Sequence, residues 1–237
     1  MIVKCNDIKY KIYNKDDEIQ KYLIYNLQWN EPIYRIIKNL IQRYDLKHLV
    51  NVGSHIGTMA IPISYHINKV TAIEAHPQTY KHLQENISLN NCTNIQTYNN
   101  AVGATDDTAY FLSLDGPRLQ NNNGGMHVIT ESDIKDNRRS ASLTDKKYNI
   151  NMIPLDTLNI IGDIYLVDIE GSENEFLDGA IDSLRYCKII IIELWDDNKR
   201  KSENMKYTQN EMKDKIEDMG FTFKINISDD FIFIRNF

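Results

Sequence analysis

The sequence predicts an α/β domain: a mostly parallel, seven-stranded sheet with helices on both faces. Two observations predict it. Short runs rich in Val, Ile and Leu alternate with longer amphipathic stretches along most of the chain, the pattern of strand–helix–strand units with right-handed crossovers. The last two apolar runs, 221–225 and 231–235, are joined only by a turn around Ser228-Asp229-Asp230, so they close the sheet as an antiparallel pair.

Ahead of the sheet, residues 2–13 read as a β-hairpin turning at Asn6-Asp7, and 17–28 as a helix. A stronger helix covers 31–44: Pro32 suits a first turn, and Ile33, Ile36, Ile37, Leu40, Ile41 and Tyr44 share one face. The first sheet strand is 49–52, followed by a helix over 57–66 in which Pro62 falls near the tolerant first turn. Strand 70–73, helix 77–91 with Tyr80, Leu83 and Ile87 inward, and strand 95–98 come next. Between 102 and 158 the rhythm breaks. Here 109–114 and 148–153 read as strands able to pair, around a polar loop at 121–125 and a charged run at 131–139. A long irregular segment inside a compact domain points to function; the charged run reads as a solvated face or a lid. The rhythm then resumes with strand 164–167, helix 173–185 carrying Phe176, Leu177, Ala180, Ile181 and Leu184 inward, and strand 188–192. Helix 208–219 opens on a Thr208–Glu211 capping box and stops before Gly220. The expectation is one domain over 1–237: an N-terminal hairpin and helices at 1–48, a core at 49–237, and an insertion at about 102–158 before the fourth strand.

With 237 residues, 42% apolar and 25% charged, the chain has the length and composition of one soluble core. A net charge of −6 argues against nucleic acid as partner, which calls for a broad basic face. Cys5, Cys92 and Cys187 form neither a metal-type pair nor a disulfide framework, so a cytoplasmic, reducing setting is expected. No apolar run approaches the roughly 20 residues of a membrane span, and the charged N-terminus is unlike a signal peptide. Oligomeric state is not written in the sequence.

Ligands of parallel sheets sit at the carboxyl ends of the strands. The segment LVNVGSHIG runs from a strand into a glycine turn, and VTAIEA ends the next strand on Glu74. Glycine lets backbone approach a ligand closely. An acid about 20 residues after the turn is placed to accept two ribose hydroxyls. That leaves a dinucleotide or S-adenosylmethionine. The turn Gly53-Ser54-His55-Ile56-Gly57 lacks the middle glycine of pyrophosphate-binding turns, which favours S-adenosylmethionine. At later strand ends stand Asn100 and Ala101, then Asp168 and Glu170, then Glu193. His55 reads as a cofactor contact or a solvent-exposed residue rather than a base, and His76 and His82 as surface residues. Trp195 reads as core or pocket wall, with a sugar-stacking platform as the alternative.

The order VNVGSHIG, TAIEAHPQTYKHLQENISLNN, NNAVG, IPLDTL, YLVDIEGSENEFLDGA and IIIEL resembles the FkbM-type methyltransferases over residues 31–194. The resemblance implies a Rossmann-like class I fold and S-adenosylmethionine-dependent O-methylation of a small-molecule or glycan hydroxyl, with a sugar as the leading acceptor. It implies that Gly53, Ser54, His55, Ile56 and Gly57 line the methionine end of the cofactor. Glu74 with Ala75 would serve the ribose, and Asn100 and Ala101 the adenine. Asn51 stands where such enzymes usually carry Asp. Asp168 falls beside the reactive methyl, with Asp168 or Glu170 as the proton acceptor. Asp168 and Glu193 resemble the metal-binding acids of catechol O-methyltransferases, and hard oxygen ligands suit a divalent cation such as magnesium. The alternatives are an RNA or protein methyltransferase on the same fold, or a non-catalytic cofactor-binding module. The lack of an Asn-Pro-Pro-Tyr-like block after the fourth strand counts against N-methylation of bases.

Overall fold

The structure is a computed structural model and describes residues 1–112, 123–136 and 147–235. The chain opens with an antiparallel hairpin, β1 (Ile2–Cys5) and β2 (Ile8–Lys11). Asn6 and Asp7 turn it with φ of 47° and 72°, the turn whose twist matches the flanking strands. Helix α1 (Glu18–Ile24) is capped by Asp17 and ends four residues earlier than its pattern suggests, because Asn26 takes a left-handed φ of 59°. Helix α2 (Glu31–Tyr44) has the expected bounds and buries Ile33, Ile37 and Ile41.

The main sheet then begins with β3 (His48–Val52), α3 (Ala60–Ser64), β4 (Lys69–Ile73), α4 (Pro77–Leu89) and β5 (Ile95–Tyr98). Helix α3 starts at Ala60 rather than 57. The positive φ values of His55 and Gly57 (46° and 91°) hold the preceding turn out of helical geometry.

Where the sequence rhythm breaks, the chain builds a separate four-stranded sheet. It comprises β6 (Ala101–Val102), β7 (Asp107–Leu112), β8 (Val128–Ile129) and β9 (Lys147–Ile153), in the order β6-β9-β7-β8. The expected pairing of the two longer strands is present as β7 against β9. β7 starts two residues upstream of its expected start, and residues 113–114 lie outside the described residues. Part of the charged run forms α5 (Glu131–Lys135), held by a capping box between Thr130 and Asp133. Residues 121–122 of the polar loop and 137–139 of the charged run also lie outside the described residues.

The main sheet resumes with β10 (Ile164–Val167), α6 (Glu173–Gly179), α7 (Ile181–Leu184), β11 (Ile189–Glu193), α8 (Asp197–Ser202), α9 (Gln209–Asp218), β12 (Phe221–Ile227) and β13 (Asp230–Arg235). Its order is β12-β13-β11-β10-β3-β4-β5. β11, β10, β3, β4 and β5 are parallel, and β13 lies antiparallel between β11 and β12. Successive residues point to opposite faces, and both faces are covered. Val50, Tyr165 and Ile190 pack with Phe176, Leu177 and Met212 on one side. Leu49, Ile164 and Ile189 pack with Ile33, Ile37 and Leu83 on the other. The single helix expected over 173–185 is broken at Ala180 (φ −126°, ψ 22°). Gly179 lies so close to β6 that an added Cβ would stand 1.9 Å from the Gly103 carbonyl oxygen. The break rotates Ile181 outward, where it is 56% exposed rather than inward-facing.

Candidate active site

β3 ends on a turn laid across its two neighbours. The backbone N–H groups of Gly53 and Ser54 both donate to the Ile73 carbonyl, at 3.0 and 2.9 Å. Gly53 has φ +84°, and a Cβ there would stand 1.7 Å from the Asp168 carbonyl oxygen, so only glycine fits. Glu74, at the end of β4, fastens the turn: its two carboxylate oxygens accept from the backbone N–H of His55 and of His76, each at 2.8 Å. Burial pushes Glu74 up to about 7, against the pull of those amides. Asn99 Nδ2 donates to the carbonyls of Glu74 and Ala75, fixing the next strand end beside them.

These pieces enclose a pocket with about 1200 Å³ of empty space, open mouth included. Of the residues singled out in the sequence, Asn51, Gly53, Ser54, His55, Glu74, Ala75, Asn100, Ala101, Asp168 and Glu170 line it. Asn51 is buried; its Nδ2 donates to the Leu166 carbonyl at 3.4 Å, while its Oδ1 has no partner. Two expected cofactor residues lie elsewhere. Ile56 is 1% exposed and turned into the apolar cluster of Tyr10, Leu23 and Ile61, and Gly57 faces Ile61 and Leu83. Residues predicted at the surface prove buried. His76 caps α4 by accepting from the Thr79 N–H, and His82 pairs with the Lys11 carbonyl. His55 is held neutral, burial lowering it to about 4. Trp195 is 1% exposed, with Lys199 Nζ 3.7 Å over its ring and His127 edge-on at 5.3 Å. It is core, not a stacking platform.

The carboxyl ends of β10 and β11 bring three acids together: Asp168, Glu170 and Glu193 each place a carboxylate oxygen within 4.8 Å of the others. Desolvation raises all three, and neighbouring acids add to it, Glu173 in the case of Glu170. Asp168 rises well above the ordinary carboxylate range, with Glu170 and Asp230 contributing. Glu193 rises to about 10, and its Oε2 accepts from Trp195 Nε1 at 3.0 Å. Glu170 reaches about 7, moderated by Lys199 at 3.9 Å. The turn after Asp168 is organised by Glu173, which accepts from the Gly171 N–H at 2.9 Å, leaving Glu170 free to line the pocket. A carboxyl group near 7 exchanges a proton readily at neutral pH. A hard divalent cation among the three would offset their repulsion.

Trp29, Asn30 and Asp230 also line the pocket, and none was singled out by its sequence. Asn30 Nδ2 donates to Asp230 Oδ2 at 2.9 Å. The antiparallel register sets Asp230 opposite Glu193. That register was the one available signal: a final hairpin antiparallel to β11 must return its turn to the acids' end of the sheet.

The family model for the methyltransferase FkbM domain matches residues 51–223. No curated protein matches. Among solved structures, methyltransferase FkbM from Methylobacillus flagellatus KT aligns with a TM-score of 0.50 at 15% identity, over 80% of this chain and 44% of that one. This chain therefore spans less than half the length of that relative. A Staphylococcus aureus protein assigned provisionally as a caffeoyl-CoA O-methyltransferase aligns at 0.50 and 13% identity, over 94% and 93%. An O-methyltransferase family protein from Burkholderia thailandensis aligns at 0.50 and 8%, over 87% and 56%. At such identities the likeness is one of fold, the Rossmann-like methyltransferase sheet. With the domain match over most of its length, the chain belongs to the FkbM methyltransferase family.

Proposed function

We propose that the protein is an S-adenosylmethionine-dependent O-methyltransferase whose acceptor is a hydroxyl of a small molecule or glycan, a sugar foremost. The supporting observation is one pocket that carries the Gly53 turn, Glu74, Asn100 and Ala101 on one side and Asp168 on the other. S-adenosylmethionine, when bound, supplies a methyl group on a sulfonium. Gly53, with no Cβ, would let its amino-acid end approach the turn closely. The unpartnered Asn51 Oδ1 would accept from its ammonium group, as an aspartate would but without the charge. Glu74 would receive the ribose hydroxyls, and Asn100 and Ala101 would border the adenine. Asp168 or Glu170 would take the acceptor's one proton as the alcohol attacks; alignment supplies much of the rest. The described cysteines are all free, consistent with a reducing, cytoplasmic setting, and no helix among the described residues is long and apolar enough to cross a membrane.

Calorimetric titration with S-adenosylhomocysteine and with NAD tests the cofactor. S-adenosylhomocysteine should bind and raise Tm; binding of NAD instead would overturn the reading. A second reading, in which Asp168, Glu170 and Glu193 hold a magnesium ion, is favoured by their 4.8 Å cluster. Loss of methyl transfer in EDTA, restored by magnesium, supports it; EDTA-insensitive activity removes it.

A further inference from the structure

Asp168 faces two cavities. Besides the pocket described above, it borders a second with about 1300 Å³ of empty space, open mouth included, walled by Glu193 and by Trp29, Asn30 and Asp230, which border both. The family domain covers residues 51–223, so Trp29, Asn30 and Asp230 come from the flanks outside it. One hydrogen bond ties those flanks across 200 residues of chain, Asn30 Nδ2 to Asp230 Oδ2. Tyr22 stands edge-on to Trp29, ring centroids 5.1 Å apart, and borders the same cavity.

The chemistry of this wall is selective. Its described lining includes Glu31, Asp168, Glu193 and Asp230 but no lysine, arginine or histidine. A phosphorylated or carboxylated acceptor would find no cation in that lining to pair with, beside buried acids whose surroundings already disfavour negative charge. Hydroxyl groups, which donate as well as accept, suit carboxylates and carboxamides. An aromatic side chain gives the apolar face of a ring somewhere to rest.

We propose that this cavity is the acceptor subsite, that it takes a neutral, hydroxyl-rich ring, and that Trp29, Asn30 and Asp230 set its specificity. This rests on the methyltransferase reading of the adjoining pocket. An acceptor seated here brings a hydroxyl to Asp168 at the wall the two cavities share. The new O–CH3 bond forms as the S–CH3 bond breaks. The bonding pair returns to sulfur, leaving a neutral thioether, and the hydroxyl proton passes to Asp168 or Glu170.

The test uses the full chain saturated with S-adenosylhomocysteine. It is titrated with neutral methyl glycosides of glucose, galactose, mannose and fucose, and in parallel with glucose 6-phosphate and glucosamine. Intrinsic fluorescence reports binding, since Trp29 and Trp195 are the two tryptophans and Trp29→Phe isolates the signal of Trp29. We expect saturable binding of at least one neutral glycoside, weakened about tenfold or more in Asn30→Gly and in Asp230→Ala. Because both residues also border the first pocket, affinity for S-adenosylhomocysteine should fall by a clearly smaller factor than glycoside affinity in both. Asn30 already has a left-handed φ of 46°, which glycine adopts without strain, so Asn30→Gly keeps the fold. Tighter binding of glucose 6-phosphate or glucosamine than of every neutral ring overturns the proposal. So does unchanged glycoside affinity in both variants, or no response to any glycoside. Failure of S-adenosylhomocysteine to bind the wild type would defeat the cofactor reading itself, a result distinct from cofactor binding without a glycoside response.

Discussion

Glu74→Ala should separate the two roles of a single carboxylate. Glu74 is 8% exposed and accepts two backbone N–H groups at 2.8 Å. Removing it orphans the His55 and His76 amides, at a cost of about 1–3 kcal/mol each where water does not replace the bond. A second effect opposes this one and depends on pH. Burial lifts the acid from 4.5 to about 7, so between those values the folded protein binds more protons than the unfolded chain. Its contribution to stability is greatest below pH 4.5 and declines as pH rises to 7, by about 3 kcal/mol at 1.36 kcal/mol per pH unit. The alanine variant lacks this decline. It should be clearly less stable than wild type in urea at pH 5 and nearly level with it at pH 8. Cofactor binding should behave differently. If, as proposed, the ionised carboxylate accepts ribose hydroxyls, an interaction of about 1.5–3 kcal/mol, the variant should bind S-adenosylhomocysteine about 10- to 150-fold more weakly at pH 8. Unchanged affinity in the folded variant would mean the ribose is held elsewhere. A stability difference that does not vary between pH 5 and 8 would show that Glu74 is not the buried titrating group.

Asp168→Asn keeps shape while losing the ability to take a proton; methyl transfer should fall by about 10²–10⁴ with S-adenosylhomocysteine affinity retained. Near-normal turnover would move the base to Glu170. Gly53→Ala forces a Cβ to 1.7 Å from the Asp168 carbonyl oxygen, so S-adenosylhomocysteine binding should disappear; wild-type affinity would contradict the turn's geometry. Ile181→Lys, at a side chain 56% exposed, should change stability by less than about 0.5 kcal/mol, whereas a Tm drop of many degrees would restore the unbroken helix. Leu177→Ala, at 1% exposure, should cost about 2–5 kcal/mol in denaturant, and a much smaller loss would mean that side chain is not packed as described.

The sheet was legible because its strands are buried on both faces and therefore apolar throughout. Runs such as Ile189–Glu193 need no partner to identify them. The proposed cofactor wall was legible for a related reason. In parallel strands the carboxyl ends fall together by topology, so Gly53, Glu74 and Asp168 meet without any further information. Legibility failed where a side chain's direction depends on backbone detail. The left-handed His55 turns Ile56 into the N-terminal cluster, and the close approach of Gly179 to Gly103 breaks the helix that would have buried Ile181. His76 and His82 misled because polar residues before and within an amphipathic helix resemble surface, yet one supplies the cap of α4 and the other receives the N-terminal hairpin. Trp29, Asn30 and Asp230 failed for another reason: neither flank contains a motif, and their proximity is a property of closure. α2 must cover one face of the sheet while β13 runs antiparallel beside β11, and only the two together bring Asn30 onto Asp230. Parallel topology thus fixes the shared reaction end of the site, and the chain's flanks form the side opposite it. Related domains can therefore keep the first while changing the second, and this separation is why the family is easier to read from this sequence than the acceptor.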